Sequence, residues 1–317
     1  MGKSIKVATV QAEPVWNDLQ GSVNKVIDLI QEASSKGANV LGFPQLFVPG
    51  YPWSIWTEAP LGNASNNIKF INNSLARESP EMDKIRKAVK DAGIFVVLGY
   101  SEREGHSLYQ AQSFIDANGE IVNHRRKIKP THVERSIFGE GHSESLKSVV
   151  SSDFGKVGGL ICWEHMKPLL RYYEYTQGVQ VHVASYPSMF DTAKESPVYS
   201  MTAAASQAAC QMMAMEGGTF VLLATPIISD ANREKAGMAN APNGKVPFAG
   251  YSQIFGPDGS PLAKSLGPKE EGILYADINL DDIAPAKHFL DISGHHTRPD
   301  LLSLKVKSSA VQHVHHD

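Results

Sequence analysis

From its first residues the chain alternates short β-branched runs with stretches of helical spacing. That alternation restricts it to α/β folds, in which helices cover a partly parallel sheet. Lys6 to Gln11 predicts a strand. Asn17 or Asp18 caps the helix behind it, where Val23, Val26, Ile27, Ile30 and Ala33 share one face until Gly37 stops it. Val40 to Phe43 is the next strand. Ser79-Pro80-Glu81 opens a second helix, with Met82, Ile85 and Val89 on its apolar face and Gly93 at its end. Ile94 to Leu98 follows as a buried strand. Leu108 to Ile115, the turn Asn118-Gly119 and Glu120 to His124 predict a hairpin. Val157 to Ile161, Val181 to Ala184 and Phe220 to Ala224 are further strands, with an Ala- and Met-rich helix over Ser200 to Glu216. Tyr251 to Phe255, the turn Gly256-Pro257-Asp258-Gly259 and Gly272 to Asp277 predict a second hairpin region.

No linker, repeat or composition break interrupts this pattern, so one domain over residues 1–304 is expected, with a loosely held tail over 305–317. Ser229 to Val246, polar with scattered Gly and Pro, is the expected mobile surface loop. The net charge is −3, from 30 basic against 33 acidic residues, which gives no footprint for nucleic acid or an anionic membrane. Cys162 and Cys210 are too few for a disulfide framework, and with no targeting segment or membrane span in view a cytoplasmic chain is expected.

Dinucleotide and phosphate-loop fingerprints, the zinc-helix motif and the nucleophile-elbow motif are absent. His295-His296 and the tail's His313, His315 and His316 could bind a metal, but the tail has no carboxylate or Cys partner beyond Asp317 and surface histidine clusters usually do nothing specific, so no metal or cofactor is expected.

Three segments carry chemistry. Cys162 ends the strand Val157-Gly158-Gly159-Leu160-Ile161 and is followed by Trp163-Glu164-His165. Strand ends are where α/β proteins place reactive groups. Alone it reads as an ordinary core cysteine, because a free thiol is only a few per cent thiolate at neutral pH and needs a cation and a base. The cation is sought in the dense charged run from His124 to Arg135, where Pro130-Thr131 breaks a strand and lets Lys127 and Glu134 turn into a pocket. The third segment, Gly42 to Trp53, is a Pro- and Gly-rich loop whose aromatics could wall that pocket. Taken singly, the charged run reads better as a solvated basic strand end, and the third segment has an ordinary Pro-rich connection as its alternative.

Together and in this order, the segments resemble the nitrilase branch of the carbon–nitrogen hydrolase superfamily. Val7 to Ala12 looks like its first strand, Arg126 to Arg135 like the segment of its lysine, and Gly159 to His165 like its nucleophile segment. Val181 to Pro187 and Gly294 to Asp300 match as well. The resemblance implies a four-layer α-β-β-α sandwich and a homodimer or larger assembly. Its implied activity is hydrolysis of a small-molecule nitrile to carboxylic acid and ammonia. It places Cys162 as nucleophile, Lys127 as cation and Glu134 as second carboxylate. Tyr51, Trp53, Trp163 and Tyr186 are expected pocket walls, with ordinary packing as the alternative.

The resemblance also implies a general-base glutamate between Pro44 and Leu46, where this chain has Gln45. An amide keeps the shape and still hydrogen-bonds, but it does not take a proton near neutral pH. The chain is therefore expected to be inactive or strongly impaired. The size match and the intact surroundings favour a substitution made to trap a bound state over a natural loss. Two other readings stay open: a non-catalytic binding protein on the same fold, and an amidase of the same superfamily.

Overall fold

Period-two alternation divides the strand side chains between two apolar surfaces, and each surface finds a different cover. The computed structural model describes residues 4–241, 244–307 and 309. In β1 (Ser4–Gln11), Val7 faces one way and Ala8 and Val10 the other. β2 (Val40–Gly42) and β3 (Phe95–Glu104) continue the alternation, parallel to β1. β4 (Ser107–Ile115) and β5 (Ile121–Arg126) extend the sheet antiparallel, and the two-residue β6 (Phe138–Gly139) pairs with β4.

Of the second sheet, β8 (Gly155–Ile161), β9 (Val181–Ser185) and β10 (Phe220–Ala224) are parallel. β7 (Val149–Ser152) and β11 (Gln253–Phe255) lie antiparallel at its edges. The sheets pack face to face through Val7, Val40, Val97 and Phe114 on one side and Val157, Val181, Val183, Phe220 and Leu222 on the other. Gly42 permits that contact, since a Cβ there would lie 2.8 Å from the Val183 side chain.

The outer faces carry the helices. Val23, Val26 and Ile30 of α1 (Leu19–Ser35) and Met82, Ile85 and Val89 of α4 (Pro80–Ala92) cover the first sheet. Leu170 and Tyr175 of α5 (Pro168–Thr176) and Cys210, Met213 and Ala214 of α6 (Ala203–Gly217) cover the second. The four-layer α-β-β-α order expected from the resemblance is thus the order found. Short helices α2 (Ser54–Thr57) and α3 (Ala64–Asn73) follow the second strand, and α7 (Ile283–Phe289) follows the last. Among the described residues no helix is long and apolar enough to cross a membrane.

Several expectations need correction. The last hairpin does not exist: β11 pairs with β10, whereas β12 (Gly272–Asn279) pairs antiparallel with β1 at the far edge of the other sheet. Paired with β1, Leu274, Ala276 and Ile278 reach the inter-sheet core and β12 covers the edge that β1 would otherwise leave open. The Ala-rich helix starts at Ala203, because Tyr199–Met201 forms a 3-10 turn and Thr202 supplies the cap. The stretch from Ser229 to Val246 is not simply surface: Ala236, Met238, Ala241 and Val246 are buried against Trp53, Ile55 and Phe70. Most of the tail over 305–317, including His313, His315 and His316, lies outside the described residues.

Candidate active site

The site residues sit where the strands end. Beyond β2 the loop Phe43–Phe47 runs against the first half of β3, with Phe43 N–H donating to Val97 O and Phe47 N–H to Gly99 O. Gly99 allows this approach: a Cβ there would lie 2.1 Å from the Pro44 carbonyl oxygen. The loop then reaches the other sheet, where Gln45 N–H donates to Tyr186 O at 3.2 Å and Ser185 Oγ donates to Phe43 O at 2.7 Å. Leu46, at φ +52°, turns the chain so that Gln45 points inward, where it is buried. Its Nε2 donates to Gln110 Oε1 at 2.6 Å and to Glu134 Oε1 at 3.3 Å.

Lys127 follows β5 directly. Its backbone is fixed from both sides, N–H to Gln110 O at 2.7 Å and O from Gly141 N–H at 2.8 Å. Gly141 is needed there, since a Cβ would lie 2.4 Å from Arg126 O. Pro130-Thr131 ends the extended run, and the 3-10 turn His132–Ser136 swings Glu134 back. Lys127 Nζ then donates to Glu134 Oε2 at 2.7 Å, both groups being buried. Lys129, two residues on, is exposed and pairs with Glu140. Glu134 also accepts from Thr131 N–H at 2.6 Å and from Tyr51 Oη at 3.1 Å. Its two oxygens thus hold four donors, so its acceptor capacity is largely engaged.

Cys162 opens a 3-10 turn, Cys162–Met166, with φ +52°. That region is uncommon for a residue with a side chain, and strain of this kind concentrates at functional sites. Glu164 holds the turn by accepting from Ile161 N–H and Ile128 N–H at 2.8 Å each. It also forms a two-pronged pair with Arg125, at 2.8 and 2.9 Å, with no exposure on either side chain. Arg125 and the N–H donors outweigh the opposing effect of burial and hold the Glu164 carboxyl below its ordinary range.

Burial pushes the Cys162 thiol up to about 12, against the opposing pull of Lys127, while Glu134 pushes the same way as burial. The Trp163 N–H points at the sulfur and favours the thiolate. Burial works to lower Lys127, yet Glu134 and Cys162 together raise it, so the ammonium persists. The resting site is therefore thiol and ammonium, with no free base. Alkylation of Cys162 by iodoacetamide, read by peptide mass spectrometry, should accordingly climb about tenfold per pH unit from pH 7 to pH 9. A plateau inside that window would show that the thiol ionises far earlier.

The four expected walls divide. Trp53 lines a cavity of about 330 Å³ with Trp56, Phe190, Met201, Met238 and Pro247. Tyr51 lies between this cavity and the polar site, its ring 4.5 Å from Trp53 and its hydroxyl on Glu134. Trp163 and Tyr186 belong instead to the nucleophile side: both pack in the cluster of Cys162, and the Tyr186 ring lies 5.1 Å from His165. Gln110, Arg125 and Glu164 were not among the expected site residues. The available signal was a pair of amides, Gln110 and Gln112, at alternate positions of β4. Among the described residues no cluster of three metal-ligating side chains occurs, and His295 is an exposed partner of Asp291.

The comparisons agree with this geometry. The family model for carbon–nitrogen hydrolases matches residues 6–288. A nitrilase from Talaromyces marneffei is 55% identical over 317 residues, covering 99% of this chain and 98% of its own length. A nitrilase from Penicillium rubens is 50% identical over 309 residues, covering 96% and 94%. Among solved structures, an amidase from Nesterenkonia sp. superposes with a TM-score of 0.64 at 20% identity, over 92% of this chain and 98% of that one. With a matching family model over most of its length and relatives this similar, the chain belongs to the carbon–nitrogen hydrolase family.

Proposed function

We propose that this chain is a nitrile hydrolase whose nucleophile is Cys162, and that Gln45 disables it by removing the general base. The observation that carries the reading is the buried Lys127–Glu134 pair at 2.7 Å, electrostatically coupled to Cys162 and touched by Gln45. Identity of 50% and 55% with nitrilases supports a nitrile over an amide as substrate.

With glutamate at position 45, its carboxylate takes the Cys162 proton. The thiolate adds to the nitrile carbon, and the nitrogen receives a proton to give a thioimidate. Lys127 and the Trp163 N–H face the charge that develops on that nitrogen. Water adds, ammonia leaves, and an acyl-thioester remains. A second water releases the carboxylic acid and restores the thiol. The mostly apolar cavity beside Tyr51, lined also by Thr57, Glu195 and Lys245, favours an aryl or alkyl nitrile over cyanide. Glu134 does not stand in for the missing base, since its oxygens are occupied.

The test is ammonia release from a nitrile panel by the Gln45→Glu chain, with Cys162→Ala in that background and intact mass to detect an acyl or thioimidate adduct. Release that survives Cys162→Ala, or none from either form with no adduct, would overturn the reading and favour a binding protein on this fold. Release from amides alone would favour the amidase.

We also propose residues 1–304 as one unit, a homodimer or larger assembly, and a cytoplasmic setting. Two free, buried cysteines support the last. Exposed Leu169 on α5 and exposed Met212 on α6 support a second copy there. Leu169→Asp with Met212→Glu should lower the mass measured by light scattering, and an unchanged mass would place the contact elsewhere.

A further inference from the structure

Behind the nucleophile turn runs a line of buried ionisable groups that the proposed reaction does not use. We propose that Glu174, His182 and His165 form a positioning relay that holds the Cys162 carbonyl and thereby aims the Trp163 N–H. The inference rests on the reading of Cys162 as nucleophile.

The three side chains come from different elements: Glu174 from α5, His182 from β9 and His165 from the turn itself. None has any exposure. Glu174 Oε1 lies 2.5 Å from His182 Nδ1, His182 Nε2 lies 2.9 Å from His165 Nε2, and His165 Nδ1 lies 2.6 Å from Cys162 O. The far end is anchored by Ser148 Oγ, which donates to Glu174 Oε2 at 2.8 Å. Room for it comes from Gly158, where a Cβ would lie 2.7 Å from Glu174 Oε1.

Each contact needs one proton, and the count leaves a single arrangement of the imidazoles. A carbonyl oxygen only accepts, so His165 Nδ1 carries hydrogen. His165 is neutral, since burial and the neighbouring His182 hold it well below the ordinary histidine range. Its Nε2 is then bare and accepts from His182 Nε2–H. Against the Glu174 carboxylate a further proton lies on the line between Oε1 and His182 Nδ1, whichever atom holds it.

This line ends on one rigid plane. The Cys162 carbonyl and the Trp163 N–H are the two ends of the same peptide unit. Fixing the oxygen therefore fixes the direction of the N–H that faces the reacting nitrogen. A donor of this kind acts on charge present only in the transition state, so its loss lowers kcat and leaves KM nearly unchanged.

Glu174→Gln tests the chain of protons with little change of shape. Its amide can turn Nε2 toward His182 Nδ1 while Oε1 accepts from Ser148 Oγ, so the other protons of the line keep their places. His165 then keeps its hydrogen on Nδ1 and its hold on the Cys162 carbonyl, whereas His182→Leu removes the group that donates to His165 Nε2. With ¹⁵N-histidine label, long-range ¹H–¹⁵N spectra of the chain as it stands should show His165 hydrogenated on Nδ1, assigned by loss of the signal in His165→Asn. Glu174→Gln, which keeps the donors and acceptors of the line in order, should leave that hydrogen on Nδ1. In the Gln45→Glu background His182→Leu should lower kcat about 10²-fold with KM within about twofold. His182→Gln, whose amide still donates to His165, should retain kcat better than His182→Leu. An Nε2–H tautomer in the unsubstituted chain overturns the relay, as does equal kcat for the two His182 variants. The spectra need no turnover, so a Gln45→Glu chain that releases no ammonia counts against the nitrile reading while the tautomer still decides the relay.

Discussion

Ammonia release rises about 10² to 10⁴-fold when Gln45 is replaced by glutamate, the range that a positioned general base supplies. The surroundings already suit a carboxylate. Gln45 Nε2 stands 2.6 Å from Gln110 Oε1, and Gln110 Nε2 has no partner among the described residues. A half-turn of the Gln110 amide would present that nitrogen as a donor to a carboxylate at position 45. The same carboxylate would lie close to Glu134, since Gln45 Nε2 is 3.3 Å from Glu134 Oε1. Two neighbouring carboxylates raise the proton affinity of one of them, which favours removal of a proton from a thiol. The measurement is steady-state ammonia release at one saturating nitrile concentration, for both forms. Equal rates would mean that Gln45 does not occupy the base position.

Glu164→Gln costs about 3 to 5 kcal/mol of folding stability, because it leaves the Arg125 guanidinium buried without its countercharge. Both side chains have no exposure, and Glu164 accepts four hydrogen bonds where the amide could accept only part of them. The sign with pH follows from its lowered carboxyl. Its contribution is complete above the ordinary value of 4.5 and fades as the pH falls through the lower folded value. Urea denaturation should therefore show a constant deficit at neutral pH that narrows in acid. Replacing both partners with apolar residues, Arg125→Met with Glu164→Leu, should cost less than the single change. A deficit under about 1 kcal/mol for Glu164→Gln would show that the pair breaks even against solvation.

What could be read in the chain beforehand follows from the range of the forces concerned. Helix α4 has the expected limits because its signals are local: Ser79 accepts from Met82 N–H, Pro80 takes the first turn, and Gly93 ends it at φ +65°. β3 runs six residues past the expected Leu98, since Ser101 and Glu102 are polar yet buried, satisfied by Ser74, His124 and Arg126 from elsewhere in the chain. α3 was not expected because its ten residues include only three apolar side chains longer than alanine, Ile68, Phe70 and Ile71, and of these only Phe70 is buried. In the site, Lys127, Glu134 and Cys162 were legible as residue types at strand ends. Gln110, Arg125 and Glu174 were not: Gln110 meets Gln45 from 65 positions away, Arg125 meets Glu164 from 39 away, and Glu174 reaches His182 and Ser148 from a different layer, so only the packed sheets bring these groups together.

Lys127 has no exposed surface. Amine-coupling chemistry, which depends on a lysine meeting the reagent, would be spent on exposed groups such as Lys129 before it reached this one. The chain can thus be fixed to a solid support through its surface amines with the site cation intact, a practical property that follows from burial alone.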